Sequence, residues 1–295
     1  ATLIGTPPTA IFAAAAGKTL GRPIGFAEWM AIGLPTAAVL LVGCWFLLVR
    51  LLFPLRGTLP GVRELVQRER TELGRWTSGQ RITLAVLGLA AASWIMREPK
   101  TIGAMHVPGL VQLLPGHSDA GIAIGAALLL FLCPVSLRER RFALDWESAA
   151  RIPWGVLILF GGGLALADGF TSSGLADWIG RQLEGLHGAP TVVVIGAIAL
   201  FFVLLTELTS NPATAAMAIP IMASLPPPAG MSPLALMATA ALGSALGFML
   251  PVGTPPNALA YGTGAVTSRE MARAGVWMDI AAALVITVAV LLWTQ

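Results

Sequence analysis

Apolar windows of the length a bilayer demands recur along the chain, separated by short polar or charged stretches. A spanning helix needs about 20 predominantly apolar residues, and such windows lie near 26–53, 80–96, 119–135, 154–170 and 274–294. They predict conventional crossings. Two more apolar regions, 191–224 and 233–263, are each interrupted midway by polar and helix-breaking residues.

In the first of these, TVVVIGAIALFFVLL runs into Thr206-Glu207-Leu208-Thr209-Ser210-Asn211-Pro212 and then into ATAAMAIPIMASL. Each arm is expected to be too short for a comfortable crossing, so the reading is a hairpin that dips to mid-membrane and returns. Irregular backbone is tolerated at that depth only where protein buries it or a cavity adjoins it. Ser210 and Asn211 are capping residues and Pro212 suits the start of the returning helix, so the tip is expected to present free N–H groups and a positive dipole end. In the second region, ALMATAALGSALGFMLP runs into Val252-Gly253-Thr254-Pro255-Pro256-Asn257. Consecutive prolines cannot sit inside an unbroken helix, and a discontinuous helix is predicted. Ile4-Gly5-Thr6-Pro7-Pro8-Thr9 repeats that signature near the start. Duplicated Gly/Pro-interrupted spans point to the binding site of a secondary transporter.

Composition agrees with a membrane solvent. Hydrophobic residues make up 56% and charged residues 11% of 295, against roughly 25% charged in soluble domains. The charge of +3 does not indicate nucleic acid, because the arginines gather in short loops between apolar spans, the pattern of membrane topology. Arg50, Arg56, Arg63, Arg68, Arg70, Arg75 and Arg81 in one connection, and Arg138, Arg140, Arg141 and Arg151 in another, are expected on the cytoplasmic side. Gln295 is then expected outside. Residues 60–76 read equally as an amphipathic helix on the membrane surface or as a solvated connector. Cys44 and Cys133 lie in apolar stretches and are expected to remain unbridged. His106, His117 and His187 are scattered and lack metal-site spacing. Gly161-Gly162-Gly163 lacks the Lys-Ser/Thr of a phosphate loop; these glycines, with Gly121 and Gly125, are expected to serve close helix packing.

At WGVLILFGGGLAL (154–166), TELTSNPATAAM (206–217) and FMLPVGTPPNALAYGTG (248–264), the sequence resembles the divalent anion/sodium symporter family, which includes bacterial sodium-coupled dicarboxylate transporters. The resemblance extends over 1–295. It implies an all-α membrane protein, an inverted-repeat elevator-type transporter with a re-entrant hairpin and discontinuous helices, in the cytoplasmic (inner) membrane. Residues 1–53 would close the first repeat, 54–79 form a cytoplasmic amphipathic linker, and 80–295 form the second repeat. Carried over by position, Thr206, Thr209, Asn211 and Gly253 would supply oxygens to one sodium ion, with Gly5 at the other sodium site. Ser210, Asn211, Thr254 and Pro255 would face the substrate, with Thr6 and Pro7 in the other half of the anion site. The implied partners are a small di- or tricarboxylate of succinate or malate type, sodium as a transported ion, the lipid bilayer and a second copy in a homodimer.

The chain departs from the family where Pro212 replaces a threonine, which loses a hydroxyl and an N–H. It also starts without methionine or signal-peptide pattern, and upstream helices are expected to be lacking. No Arg or Lys lies mid-span, where a charge costs about 3 kcal/mol, so bound cations and helix dipoles would have to balance a dianion. Glu207 reads either as a proton-coupling acid or as a hydrogen-bonded structural one. Sulfate transport, proton coupling and an incomplete, non-transporting fragment stand as alternatives. An intramembrane enzyme would need a catalytic constellation at depth, and no histidine lies in a span.

Overall fold

A computed structural model describes residues 1–54, 61–102, 105–113, 116, 118–151, 154–155, 158, 161–162, 165, 169, 172–175, 178, 181, 189–227 and 231–294. The expected span at 154–170 and the 163 position of the Gly161–Gly163 run therefore lie largely outside the described residues, as do His117 and His187.

Residues 1–24, 28–54 and 154–295 form one compact unit. It contains α1 (Pro7–Leu20), α2 (Phe26–Phe46, apart from its first two residues) continuing into a π-helical turn (Leu47–Leu52), and later helices described below. Thr206 and the buried Glu207 do not stop the helix that carries them, which runs Thr191–Leu208. This α8 is 18 residues long and apolar enough to cross a membrane, which corrects the expectation that both arms are too short. Only the returning arm, α9 (Asn211–Ser224, 14 residues), is short. The break falls at Thr209 and Ser210, both in extended backbone, as the capping residues predict.

Helix α10 (Pro233–Ser244) is buried from Leu234 to Ser244, as an all-round apolar helix must be. It packs against α1, α8, α9 and the last helix, α12 (Ser268–Thr294). A Cβ on Gly243 would come within 2.9 Å of Phe202 Cβ and 3.2 Å of the Ala199 carbonyl, so the glycine permits the α8–α10 approach. Beyond α10 the chain stays irregular until α11 (Pro255–Gly262), the predicted discontinuity. Trp29, Phe12 and Trp293 pack as an aromatic cluster with centroids 5.1 to 6.2 Å apart.

The last helix begins several residues before the expected 274. Thr267 and Glu270 cap it reciprocally: the Glu270 N–H donates to Thr267 Oγ1 at 3.3 Å and the Thr267 N–H to Glu270 Oε2 at 2.9 Å. Such a box starts a helix whatever the hydropathy of its first turns. Thr267→Ala should cost about 1 kcal/mol, measured by equilibrium denaturation in detergent.

Residues 25–27 and 55–153 form the other compact unit. Its long helices are α4 (Ser78–Met96), capped by a Thr77–Gln80 box, and α6 (Asp119–Leu132). The expected span to 135 ends early because Pro134 drives Cys133 out of the helical region, to ψ 111°. At 14 residues α6 is shorter than a full crossing requires. The chain enters β3 (Pro134–Ser136) instead, which pairs antiparallel with β4 (Arg141–Phe142). A second ribbon joins β1 (Lys100–Ile102) to β2 (Met105–Val107). The described residues are mostly helical, as an all-α membrane protein requires, and the strands among them are confined to these two short hairpins in connecting segments. Two short helices, α5 (Leu110–Leu113) and α7 (Trp146–Ala150), complete the unit.

Arg97, at the end of α4, is held between Glu98 (2.7 Å) and Asp119 (2.8 Å), so its charge is matched locally. Phe26 stacks on Trp94, whose indole N–H donates to the Asp119 carbonyl at 3.0 Å. Within the 60–76 stretch, α3 (Val62–Glu72) forms with Leu65 and Val66 exposed, and Leu73 follows it, also exposed. The expected close packing at Gly125, Gly161 and Gly162 is not found: a Cβ on any of them would meet nothing within 4 Å among the described residues. Glycines that do admit close neighbours include Gly33, Gly109 and Gly243 and, at the site described next, Gly247, Gly253 and Gly275. Cys44 and Cys133 are free thiols.

Candidate functional site

The site forms where the end of α8, the start of α9, the end of α10 and the irregular segment 245–254 meet. Thr206 is fully buried, and its hydroxyl lies 2.8 Å from Asn211 Oδ1 and 3.1 Å from the Ser244 carbonyl. One hydroxyl hydrogen serves two acceptors, so three oxygens converge with a single proton between them. The structure thus brings together Thr206 and Asn211 of the expected sodium ligands. It adds the Ser244 carbonyl, invisible in the sequence because any residue carries that group.

Glu207, 3% exposed, accepts the N–H groups of Met249 (2.6 Å) and Leu250 (2.8 Å), one on each oxygen. These donors lie in the break of the second interrupted segment, where no helix supplies acceptors. A Cβ on Gly253 would stand 3.0 Å from Glu207 Oε2, and one on Gly247 3.2 Å from Thr206 Cγ2 and 3.3 Å from Glu207 Oε1. Gly253 is thereby held against the hairpin. Of the two readings of Glu207, this geometry is that of a hydrogen-bonded structural acid, which ties α8 to the 245–254 segment. Asn257 closes the same turn, its Nδ2 donating to the carbonyls of Leu250 (3.1 Å) and Gly247 (3.2 Å).

The Thr209 hydroxyl is not part of the cluster. It donates to the Leu205 carbonyl at 3.1 Å and meets the Thr214 hydroxyl, because a threonine at a helix end bonds back one turn.

The helix starts hold fewer free donors than expected. Pro212 has no N–H, and that of Ala213 is taken by Ser210 Oγ at 3.3 Å. In α11, Pro255 and Pro256 have none, and the Asn257 N–H goes to Thr254 Oγ1 at 3.3 Å. The expectation of a tip rich in open N–H groups is corrected accordingly. A hydroxyl that accepts a capping N–H keeps its own hydrogen, so exposed Ser210 and half-buried Thr254 remain able to donate to an anion.

The turn that opens the chain copies the second. Thr6 adopts φ −144°, ψ 152° and Thr254 φ −142°, ψ 153°, each followed by two prolines that begin a helix. The Gly5 N–H donates to the Thr2 carbonyl at 3.0 Å, as that of Gly253 does to Leu250 at 3.1 Å. Thr9 stands where Asn257 stands, and its hydroxyl reaches back to the Leu3 carbonyl at 2.8 Å. The two turns differ at the cap: the Thr6 side chain accepts no capping N–H, whereas that of Thr254 accepts the Asn257 N–H. Helix α1 packs against α9 and α10. No hydrogen bond joins the Gly5-Thr6-Pro7 turn to Ser210, Asn211 or Thr254 among the described residues.

The chain is 42% identical over 291 residues to the sodium-dependent dicarboxylate transporter SdcS of Staphylococcus saprophyticus, covering 98% of this chain and 55% of that protein. It is 42% identical over 292 residues to SdcS of Staphylococcus aureus, with the same coverage. The chain thus spans about half the length of the curated relatives it matches. The model of the sodium:sulfate symporter transmembrane region matches residues 1–295, and the chain belongs to that family.

Proposed function

We propose that this chain forms the greater part of a secondary transporter that moves a di- or tricarboxylate of succinate or malate type across the cytoplasmic membrane with sodium. The observation that carries the reading is the cluster of Thr206 Oγ1, Asn211 Oδ1 and the Ser244 carbonyl, where hard oxygen acceptors outnumber the hydrogens available to them. Such a set suits a small hard cation. Gly253, held beside it by Glu207, lies within the same turn. Sodium bound there would place positive charge beside the capped start of α9, and Ser210, Asn211, Thr254 and Pro255 would meet a substrate carboxylate. Gly5, Thr6 and Pro7 would supply the matching half. The likeness of the two Gly-Thr-Pro-Pro turns supports assigning them to duplicated repeats, residues 1–53 ending one and 80–295 forming the other around a linker at 54–79.

In this reading the α8–α9 hairpin is re-entrant and, with the broken helices, carries the bound ions and anion across the bilayer against a fixed scaffold, in an elevator motion. A homodimer would provide that scaffold. The names of the relatives support sodium and a dicarboxylate; the family description favours sulfate as the second candidate anion.

The test is uptake of radiolabelled succinate into liposomes holding the chain under an inward sodium gradient. Uptake should require sodium rather than potassium, should be competed by malate more than by sulfate, and should fall at least about tenfold in Asn211→Ala, since a site's lost ligand costs on that order. Sodium-independent uptake, or an unaffected variant, contradicts the reading. Uptake only by a version extended upstream would show that the site needs residues beyond this chain.

A further inference from the structure

Helices α2 and α12 touch in two places and part between them. Trp29 of α2 meets Trp293 edge-on, with centroids 6.1 Å apart, and the π-helical turn that follows α2 contacts α12. Between these contacts lies a cavity of about 510 Å³. Its two walls repeat every four residues, so each runs lengthwise along its helix: Ala31, Pro35 and Val39 on α2, and Leu284, Val288 and Leu292 on α12, all of them exposed. The buried Ile32 and Thr36 close its inner side.

What fits this furrow follows from its chemistry and its length. No charged residue lines it, and its one hydroxyl, that of Thr36, already donates to the Ile32 carbonyl at 2.7 Å. A buried water needs two to four polar partners, so hydrocarbon rather than water fills such a space. Both walls belong to helices long and apolar enough to cross a membrane, which sets the exposed rims in bilayer hydrocarbon. At 1.5 Å per residue the stretch 31–39 is about 12 Å long, close to one leaflet of a hydrocarbon core about 30 Å thick. The furrow begins one turn beyond Glu28, whose ion pair with Arg22 (3.0 Å) belongs at the water boundary. Trp293 lines that same end, and tryptophan favours the level where one side is apolar and the other wet.

Size separates the possible occupants. Spread over about 12 Å, the volume of about 510 Å³ gives a mean cross-section of ~40 Å², half of the roughly 80 Å² of an α-helix about 10 Å across. The furrow is thus too narrow to seat a helix. A stable contact between two copies of the chain would need about 1,200–2,000 Å² of buried surface, far more than so short a furrow offers. We propose that the furrow between α2 and α12 binds an acyl chain of a membrane phospholipid, drawn from the leaflet on the Trp293 side. Ala31, Pro35 and Ala289 make the room, since larger side chains there would fill it. Transfer from the bilayer gains no hydrophobic free energy, so retention rests on close packing along the walls. The site goes beyond the transport reading and requires only that the chain sits in a bilayer.

A phospholipid with a photoreactive group midway along one acyl chain, mixed into liposomes that hold the protein, tests it. After illumination, adducts on residues 31–39 and 284–293 should exceed those on Leu84, Leu87 and Leu89 by at least about fivefold. Those three leucines are exposed on another spanning helix and lie outside this cavity, so they report the labelling that contact with bulk lipid gives. Ala289→Phe fills the furrow and should bring its adducts down to that level while leaving those on the three leucines unchanged. Ala31→Leu does the same from the other wall if A289F does not fold. Equal labelling of the two places in the parent protein overturns the proposal whatever the variants do. So do adducts that persist in a folded, filled variant, or crosslinking of residues 31–39 to a second copy of the chain. Uptake is not part of the readout, so a protein that carries no succinate still labels if the site exists.

Discussion

Glu207→Ala is expected to destabilise the chain by about 3 kcal/mol or more, the largest effect of any single side-chain truncation at the site. The carboxylate is the acceptor for both the Met249 and the Leu250 N–H groups, at 2.6 and 2.8 Å. Those donors lie in the break between α10 and α11, so no helical carbonyl can replace the lost acceptor. Hydrogen bonds to an ionised group are worth about 1.5–3 kcal/mol each, and a buried orphan donor pays its full desolvation cost. Glu207→Gln should recover part of the loss, because one amide oxygen still accepts while the amide NH₂ opposes the other N–H. Denaturation in detergent measures both variants. If E207A unfolds with the midpoint of the parent, the carboxylate does not pin the break and the account of the site is wrong. In the proposed transport reading, uptake should fall with stability in E207A, because Gly253 stands against the same carboxylate.

Gly275→Ala should have the second largest effect, about 2 kcal/mol, although it adds one methyl group and improves helix propensity. The new Cβ would fall on backbone atoms of Phe248 and Met249, which cannot rotate away as a flexible side chain would. Either α12 retreats, opening the interface that buries Met278, Ala282 and Ile286, or the 248–250 backbone moves and its bonds to Glu207 lengthen. The two outcomes separate in hydrogen exchange: retreat of α12 raises exchange along that helix, whereas a displaced turn raises it at Met249 and Leu250 alone. A G275A protein as stable as the parent would show that α12 does not press on the turn. Gly125→Ala, where a Cβ meets nothing within 4 Å, is the control and should be neutral or slightly stabilising.

Much of the site is legible in the residues themselves. Ser210 and Pro212 mark a helix start, and each Gly-Thr-Pro-Pro marks another; both signals are local, set by capping hydrogen bonds and by the missing N–H of proline, and helices begin at Asn211, Pro7 and Pro255. Thr206 and Asn211 are five residues apart across that cap, so the turn itself brings them to 2.8 Å. Boundaries governed by competing local signals are less legible. Hydropathy alone carries the 119 window past Pro134 and begins the last helix after its own capping box. The two short hairpins leave no mark in the pattern because strands of two or three residues are too brief to show a period.

By itself the sequence determined that the chain belongs in a membrane, where the α8–α9 and α10–α11 segments are interrupted, and which hydroxyl and amide side chains stand at those breaks. These follow from hydropathy, proline chemistry and capping, which act within a few residues. Only the tertiary structure decided what each break touches: the Ser244 carbonyl beside Thr206, the Met249 and Leu250 N–H groups on Glu207, and Gly275 of the last helix against the backbone of Phe248 and Met249. Backbone groups carry no sequence signature. The contact is set by Gly243 and Gly275, whose missing side chains let helices close on one another, and whether a glycine is crowded or open depends on the neighbours that the fold supplies.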